Sequence, residues 1–295
     1  MTFKNIKNIC MKHLKIIIQL VLGAVLISSC TKHEVKFLST PVSDNMAEFQ
    51  LHYFVPLVSG AVNNINKAEV NGIPIASLSA PLTTYSAIPN GAVGKFFTSS
   101  VGVNSIKLYR GTNLDLVYNQ QVTLNKGKQN VFVYDFNKSP IVFDNAFPYL
   151  KNTTKYTDSI AWIRFYNFLY ENSSGYSSSK LQYQYQYTVN NTTGEKSAWI
   201  NVGKPVAFGE CTGWTPVVVN KTVDISAGSA RIDYKLKIIG ADGSDQGDLQ
   251  VLNSSSKYVN YSDYWTASIG RDYHHVLSGM RAAVPNCAVR VFTAL

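Results

Sequence analysis

Leu181-Gln182-Tyr183-Gln184-Tyr185-Gln186-Tyr187-Thr188-Val189 decides the fold class. Apolar or aromatic side chains hold every odd position, and Gln or Thr holds every even one. Wound as a helix, this pattern would scatter its apolar groups all round the axis; extended, it gathers them on one face. The stretch therefore predicts a β-strand with one buried face. Around it, strands are expected over 197–202, 217–225, 230–239 and 250–252, separated by turns at Gly194, Gly228, Gly240 and Gly243. The last strands are expected over 274–277 and 288–293. No stretch of ten residues carries a helical stripe.

The N-terminal half reads the same way. Phe49, Leu51 and Tyr53 alternate with Glu48, Gln50 and His52. Asn71-Gly72 between two apolar runs is the signature of a tight hairpin, since both residues accept positive φ. Pro74 cannot donate to a ladder, so its strand is expected at a sheet edge. Further strands are predicted over 105–109, 115–124 and 130–136, and 140–147 reads as a last strand or a linker. Residues 160–168 then resemble 47–54: Ala161 matches Ala47, Arg164 matches Gln50, and Phe168 matches Phe54. Ile269-Gly270-Arg271 before an apolar run likewise matches Lys126-Gly127-Lys128. Two matched ends in the same order predict a tandem duplication whose second copy is longer in the middle.

The N-terminus is of another kind. Lys4, Lys7, Lys12 and Lys15 precede a nearly apolar run over 16–27, then Ser28-Ser29-Cys30. That run is about a dozen residues, short of the about 20 a helix needs to cross a bilayer core, so it reads as a secretion signal. Ile27-Ser28-Ser29-Cys30 resembles the lipobox of bacterial lipoproteins. The resemblance implies cleavage before Cys30 and acylation of its thiol, with several chains giving firm anchoring. Residues 31–45 are polar and read as a tether. They lack the acidic cluster that often directs such lipoproteins outward. The formal charge is +9, and four of the cations are leader lysines, leaving +5 without a basic run. Nucleic acid is thus not an expected partner.

The expected fold is all-β: two tandem β-sandwich domains, Ig-like or transthyretin-like, over 46–150 and 151–295, behind a signal peptide (1–29) and a tether (30–45). Cys211 and Cys287 remain as an even pair in an oxidising compartment, and a disulfide between them is expected.

Sites of chemistry are sparse. The loop from Asp242 to Asp248 is rich in oxygen but lacks the ligand spacing of a calcium loop, and it reads as a solvated hairpin. His274 and His275 are adjacent on a strand and point to opposite faces, so they do not converge on one metal. No nucleophile elbow, zinc helix motif or phosphate loop is present. Neither a catalytic residue nor a cofactor nor a metal is therefore expected. Trp199, Trp214, Tyr261, Tyr264 and Trp265 cluster in the second half and are candidates for stacking on sugar rings. The alternative is that they fill a core, with 257–265 as the more loop-like part. Asp158-Ser159-Ile160 resembles an O-glycosylation acceptor of Bacteroidota-type exported proteins, with Ser159 as the acceptor.

With leader, tether and repeat together, the chain resembles a Bacteroidota-type outer-membrane lipoprotein with tandem sandwich domains of unknown function. Arg164-Phe165-Tyr166-Asn167 matches the Arg-Phe-x-Asn strand that opens such domains, and Gly270-Arg271-Asp272-Tyr273 matches a closing Gly-x-x-Tyr strand. The first copy departs at both places. The resemblance implies lipid anchoring to the outer membrane, on the periplasmic face or the cell surface. The expected role is adhesion or scaffolding through a protein partner. The alternatives are glycan binding in a polysaccharide-uptake system and a fimbrillin-like pilus subunit.

Overall fold

The computed structural model describes residues 45–89, 95–145, 159–219, 226 and 228–294. The leader, Cys30 and nearly all of the tether lie outside the described residues, as does the expected domain boundary at 150/151. Alternation in the first half yields β1 (Met46–Tyr53), β2 (Ile65–Val70), β3 (Ile73–Ala76), β4 (Ser86–Ile88), β5 (Phe97–Ser100), β6 (Gly102–Arg110), β7 (Asp115–Leu124), β8 (Gly127–Val133) and β9 (Ile141–Asp144). The second half forms β10 (Ile160–Asn172), β11 (Gly175–Tyr176), β12 (Lys180–Asn190), β13 (Glu195–Lys196), β14 (Ile200–Asn201) and β15 (Thr215–Val218). It continues through β16 (Ser229–Ile239), β17 (Asp245–Asp248), β18 (Gln250–Leu252), β19 (Tyr258–Asn260), β20 (Ser262–Ser268), β21 (Asp272–Met280) and β22 (Ala288–Thr293). The helical content among the described residues is a single 3-10 turn, Ala61–Asn63.

The protein is all-β and sandwich-like. In the first half, β4-β1-β8-β9 forms one sheet, with β5 also on β1, and β3-β2-β6-β7 forms the other. In the second half, β11-β10-β21-β22, with β15 on β10, is partnered by β13-β12-β16-β17, with β14 and β20 attached. Pro74 lies on β3, at the edge its missing N–H requires. Asn71 and Gly72 take φ of 52° and 79°, as the tight hairpin demands.

The halves share an uncommon pairing. In each, the first strand runs parallel to the last but one: β1 beside β8, and β10 beside β21. Gln50 faces Asn130 in one ladder, and Arg164 faces His274 in the other. Flanking bonds repeat as well. Asn145 N donates to Lys128 O at 2.8 Å, and Ala294 N donates to Asp272 O at 2.9 Å. Tyr85 N donates to Tyr53 O at 2.8 Å, and Gly209 N donates to Asn167 O at 2.8 Å. In this register Gly127 corresponds to Arg271, one residue past the Gly270 that the sequence match selects. A one-residue slip along a strand would reverse every side chain. The turn before β21 absorbs the difference instead.

Three apolar clusters hold these layers. Phe49, Leu51, Ile65, Leu108 and Val131 belong to the core of the first half. Ile163, Phe165, Leu181, Tyr183, Tyr234 and Trp265 belong to that of the second. The third cluster joins Phe54, Tyr85 and Phe132 to Tyr166, Phe168 and Val276, so the β1–β8 and β10–β21 sheets pack on each other through their outer faces. Phe132 stacks on Phe168 with centroids 5.0 Å apart, and Phe143 meets Tyr166 edge-on at 5.0 Å. Covered on both faces, β21 is buried at all nine positions. Residues Ser43–Leu295 form one compact unit.

The expected disulfide is a correction. Cys211 and Cys287 are both free thiols. Cys211 packs against the aromatic layer between the halves, while Cys287 lies in the second core. The β10–β21 sheet separates those two environments.

Candidate functional site

Alternation along β16 places Ile232, Tyr234 and Leu236 in the second core, and turns Arg231, Asp233, Lys235 and Lys237 outward. Register with β12 and β20 sets Gln186 and Tyr264 on either side of Asp233, and Gln184 and Ser262 on either side of Lys235. The result is an outer sheet face of amides, charges and two aromatic rings. Tyr264 is 52% exposed and Trp199 is 37% exposed.

The charges on this face are paired. Asp233 accepts from Arg231 Nε at 2.8 Å and from Lys196 Nζ at 3.0 Å. Partial burial pushes the Asp233 carboxyl up, but those two partners outweigh it and hold the group below its ordinary range. The Arg231 guanidinium sits 3.8 Å from the Tyr264 ring centre. Lys235 Nζ lies 4.9 Å from the Trp199 ring centre and 3.1 Å from Asp248. Gln184 Nε2 donates to Asn201 Oδ1 at 2.8 Å. Cation–π contacts of this kind hold rings flat on an exposed sheet. The arrangement can offer ring faces and polar groups to a partner, and nothing in it activates a nucleophile.

Of the five aromatic residues expected to bind, Trp199 and Tyr264 share this face. Trp265 and Tyr261 are 5% and 8% exposed and belong to the second core. Within 257–265, residues 258–260 form β19 and 262–265 begin β20, and the inward parity of β20 carries the Trp265 ring to within 4.6 Å of the His275 ring. The Tyr261 hydroxyl accepts from Val289 N at 2.8 Å. Trp214 lies at the seam between the halves, its Nε1 donating to Asn145 O at 2.7 Å. Ser159 is half-buried just before β10, and its carbonyl accepts from Val219 N at 2.8 Å.

The adjacent histidines do point apart. His275 enters the second core and shares a 3.0 Å hydrogen bond with Tyr183, while His274 enters the aromatic seam and shares one of 2.8 Å with Tyr166. Burial pushes His275 down to about 3 and His274 well below its ordinary value. His52, also in the seam, is pushed by burial down to about 4 and bonds Asn130 Oδ1 at 3.1 Å. Among the described residues no group of His, Cys, Asp or Glu is arranged to hold a metal. The Asp242 loop is occupied with its own turn: Asp242 Oδ1 accepts from Ser244 N at 3.0 Å, and Asp245 pairs with Lys237. Burial raises both thiols, Cys287 to about 12, which disfavours the reactive thiolate.

The Arg164-Phe165-Tyr166-Asn167 motif is structural throughout. Arg164 Nη1 donates across the seam to Asp144 O, and its Nε lies 3.2 Å from both Thr212 O and Cys211 Sγ. Phe165 packs on Tyr183, and Asn167 Nδ2 donates to Val206 O at 3.2 Å. Sequence reasoning missed this seam. Its signal was present in 160–170 and 272–280, where apolar residues occupy both parities, as in strands covered on two sides.

The chain matches no protein-family model and no curated protein sequence. Among solved structures it is weakly similar to a leucine-rich repeat protein from Bacteroides thetaiotaomicron VPI-5482, with 8% identity and a TM-score of 0.20. That alignment covers 80% of this chain and 26% of the other, so the chain spans about a quarter of its length.

Proposed function

We propose that this protein is a non-enzymatic lipoprotein of a Bacteroidota-type cell envelope, anchored through Cys30, that binds a partner with the outer face of its second half. In this reading the halves are tandem Ig-like or transthyretin-like domains, locked together by their aromatic seam. The observation that carries the binding role is the β12–β16–β20 face, where Trp199 and Tyr264 stand exposed among amides and paired charges. Large rings with polar tips suit wet recognition surfaces. Radiolabelled palmitate should enter the wild-type protein and not Cys30→Ser. Protease shaving of intact cells, with a periplasmic marker, then reports the membrane face. Loss of the second half with the marker intact supports adhesion at the cell surface. Protection of both directs attention to a periplasmic scaffold and a crosslinked partner.

A second reading is glycan capture, favoured by the two exposed rings beside Gln184 and Asn201. A glycan array compared with Trp199→Ala and Tyr264→Ala tests it. Retention of every array signal in both variants would remove this face from glycan binding.

A further inference from the structure

The first half carries a site of its own, unrelated to that face. Chain enters β1 at Met46, and three connections gather at the opposite end of the sheets: β1 to β2, β3 to β4, and β6 to β7. Between them lies a cavity of about 560 Å³, within the range of small-molecule sites.

Its walls are built rather than incidental. Ile65 faces Arg110 and Lys67 faces Tyr109, so Asn66 is the extra residue of a β-bulge. Bulges re-aim a side chain out of the sheet's alternation. Asn66 lines the cavity and is only 7% exposed. Gly111, at φ 67°, donates its N–H to Asn64 O at 3.0 Å and ties the β6–β7 turn to the start of β2. The Tyr53 hydroxyl donates to Asn63 O at 3.1 Å and fixes the 3-10 turn from the core side.

The chemistry of the lining is selective. Arg110 supplies a guanidinium, which makes no ion pair with a described residue although Asp115 is its ladder partner. A planar fork of donors matches a carboxylate. Asn64, Asn66 and Thr112 offer paired donors and acceptors of the kind vicinal hydroxyls use, and Asp115 adds a pure acceptor. Val62 and Leu78, 73% and 59% exposed, give the rim an apolar edge for the C–H face of a ring. We propose that this cavity binds a small sugar acid, its carboxylate on Arg110 and its hydroxyls on the amides and Asp115.

The test is calorimetric titration of the full-length chain in detergent with D-glucuronate and D-galacturonate, against D-glucose and D-galactose. At least one uronate should bind, and its neutral counterpart should bind at least about 10-fold more weakly. Arg110→Gln should weaken uronate binding by a similar factor, and Thr112→Trp, at an exposed turn position, should block the cavity. Thermal melting checks that both variants fold. Should Arg110→Gln unfold, the acid-to-neutral contrast in the wild-type protein and Thr112→Trp still decide. No binding of either uronate, equal binding of the neutral sugars, or unchanged binding in either folded variant would overturn the proposal. Those outcomes would leave the reading of the second half's outer face untouched.

Discussion

Gln50 and Arg164 occupy the same place in the two halves and do different work. Gln50 Nε2 donates to Lys95 O at 2.9 Å, within its own half, whereas Arg164 reaches across the seam to Asp144. Two levels further along the sheets the comparison becomes closer. His52 bonds Asn130 across the β1–β8 pair, and Tyr166 bonds His274 across the β10–β21 pair, at equivalent registers. These polar pairs sit back to back, with the His52 and His274 rings 6.4 Å apart. The backbone plan and the demand that a buried polar group find a partner are repeated; the residues that satisfy it are not. The halves differ most in their outer sheets. The outer strands of the second half include two of eleven residues, β12 and β16, and the exposed rings flank them, Tyr264 on β20 and Trp199 just before β14. The outer sheet of the first half, β3-β2-β6-β7, has its cavity at one end.

The largest expected effect breaks the seam that unites the halves. Phe168→Ala removes a fully buried ring that contacts Phe54, Phe132 and Phe208. Denaturant unfolding should show a loss of about 3–5 kcal/mol. A loss below about 1 kcal/mol would mean that the seam contributes little to stability.

Acid should act on the same layer and on the second core beneath it. His52 and His275 have folded values of about 4 and about 3, and His274 is also lowered, against an ordinary 6.5. Below pH 6.5 the unfolded chain therefore takes up more protons than the folded one. Stability from this source is complete above that pH and falls as pH drops towards 4. Chemical denaturation across pH 7 to 4 should show the decline, with a shallower slope in His52→Gln. An identical slope in that variant would exclude His52 as a contributor.

Gly279→Ala sharpens the contrast between halves, because the β10–β21 ladder runs on to Gly279 and Met280 whereas the β1–β8 ladder ends at Val133. Gly279 has φ 95°, and an added Cβ would stand 2.8 Å from Asn286 O and from Cys287 Cα. A loss of about 1–3 kcal/mol is expected in the same unfolding experiment. The smallest effect expected is none: a reductant should leave the melting temperature unchanged, since Cys211 and Cys287 are free. A lowered melting temperature would reveal a bond between them.

Legibility followed the wetness of each strand. The face of β12 was readable because Gln184 and Gln186 point outward while Leu181, Tyr183 and Tyr185 point inward. The hairpin at Asn71-Gly72 was readable because turn chemistry is local. Trp265 was misplaced because a single aromatic residue near a turn does not reveal the parity of its strand. The disulfide was inferred from a count of cysteines, and no count says which side of a sheet each thiol occupies. Arg164 was noticed as a motif, but its target, Asp144 O, comes from the other half of the chain.

The sequence by itself determined the all-β class, the Asn71-Gly72 turn and the edge position of Pro74. These depend on period-two alternation and on residues that act within a few positions of themselves. Only the tertiary structure decided that the two central sheets meet face to face, that Trp199 and Tyr264 share an outer surface while Trp265 does not, and that Asn66 and Arg110 line one cavity. Each of those depends on which strands become neighbours, and long-range pairing leaves no periodic trace in a single chain.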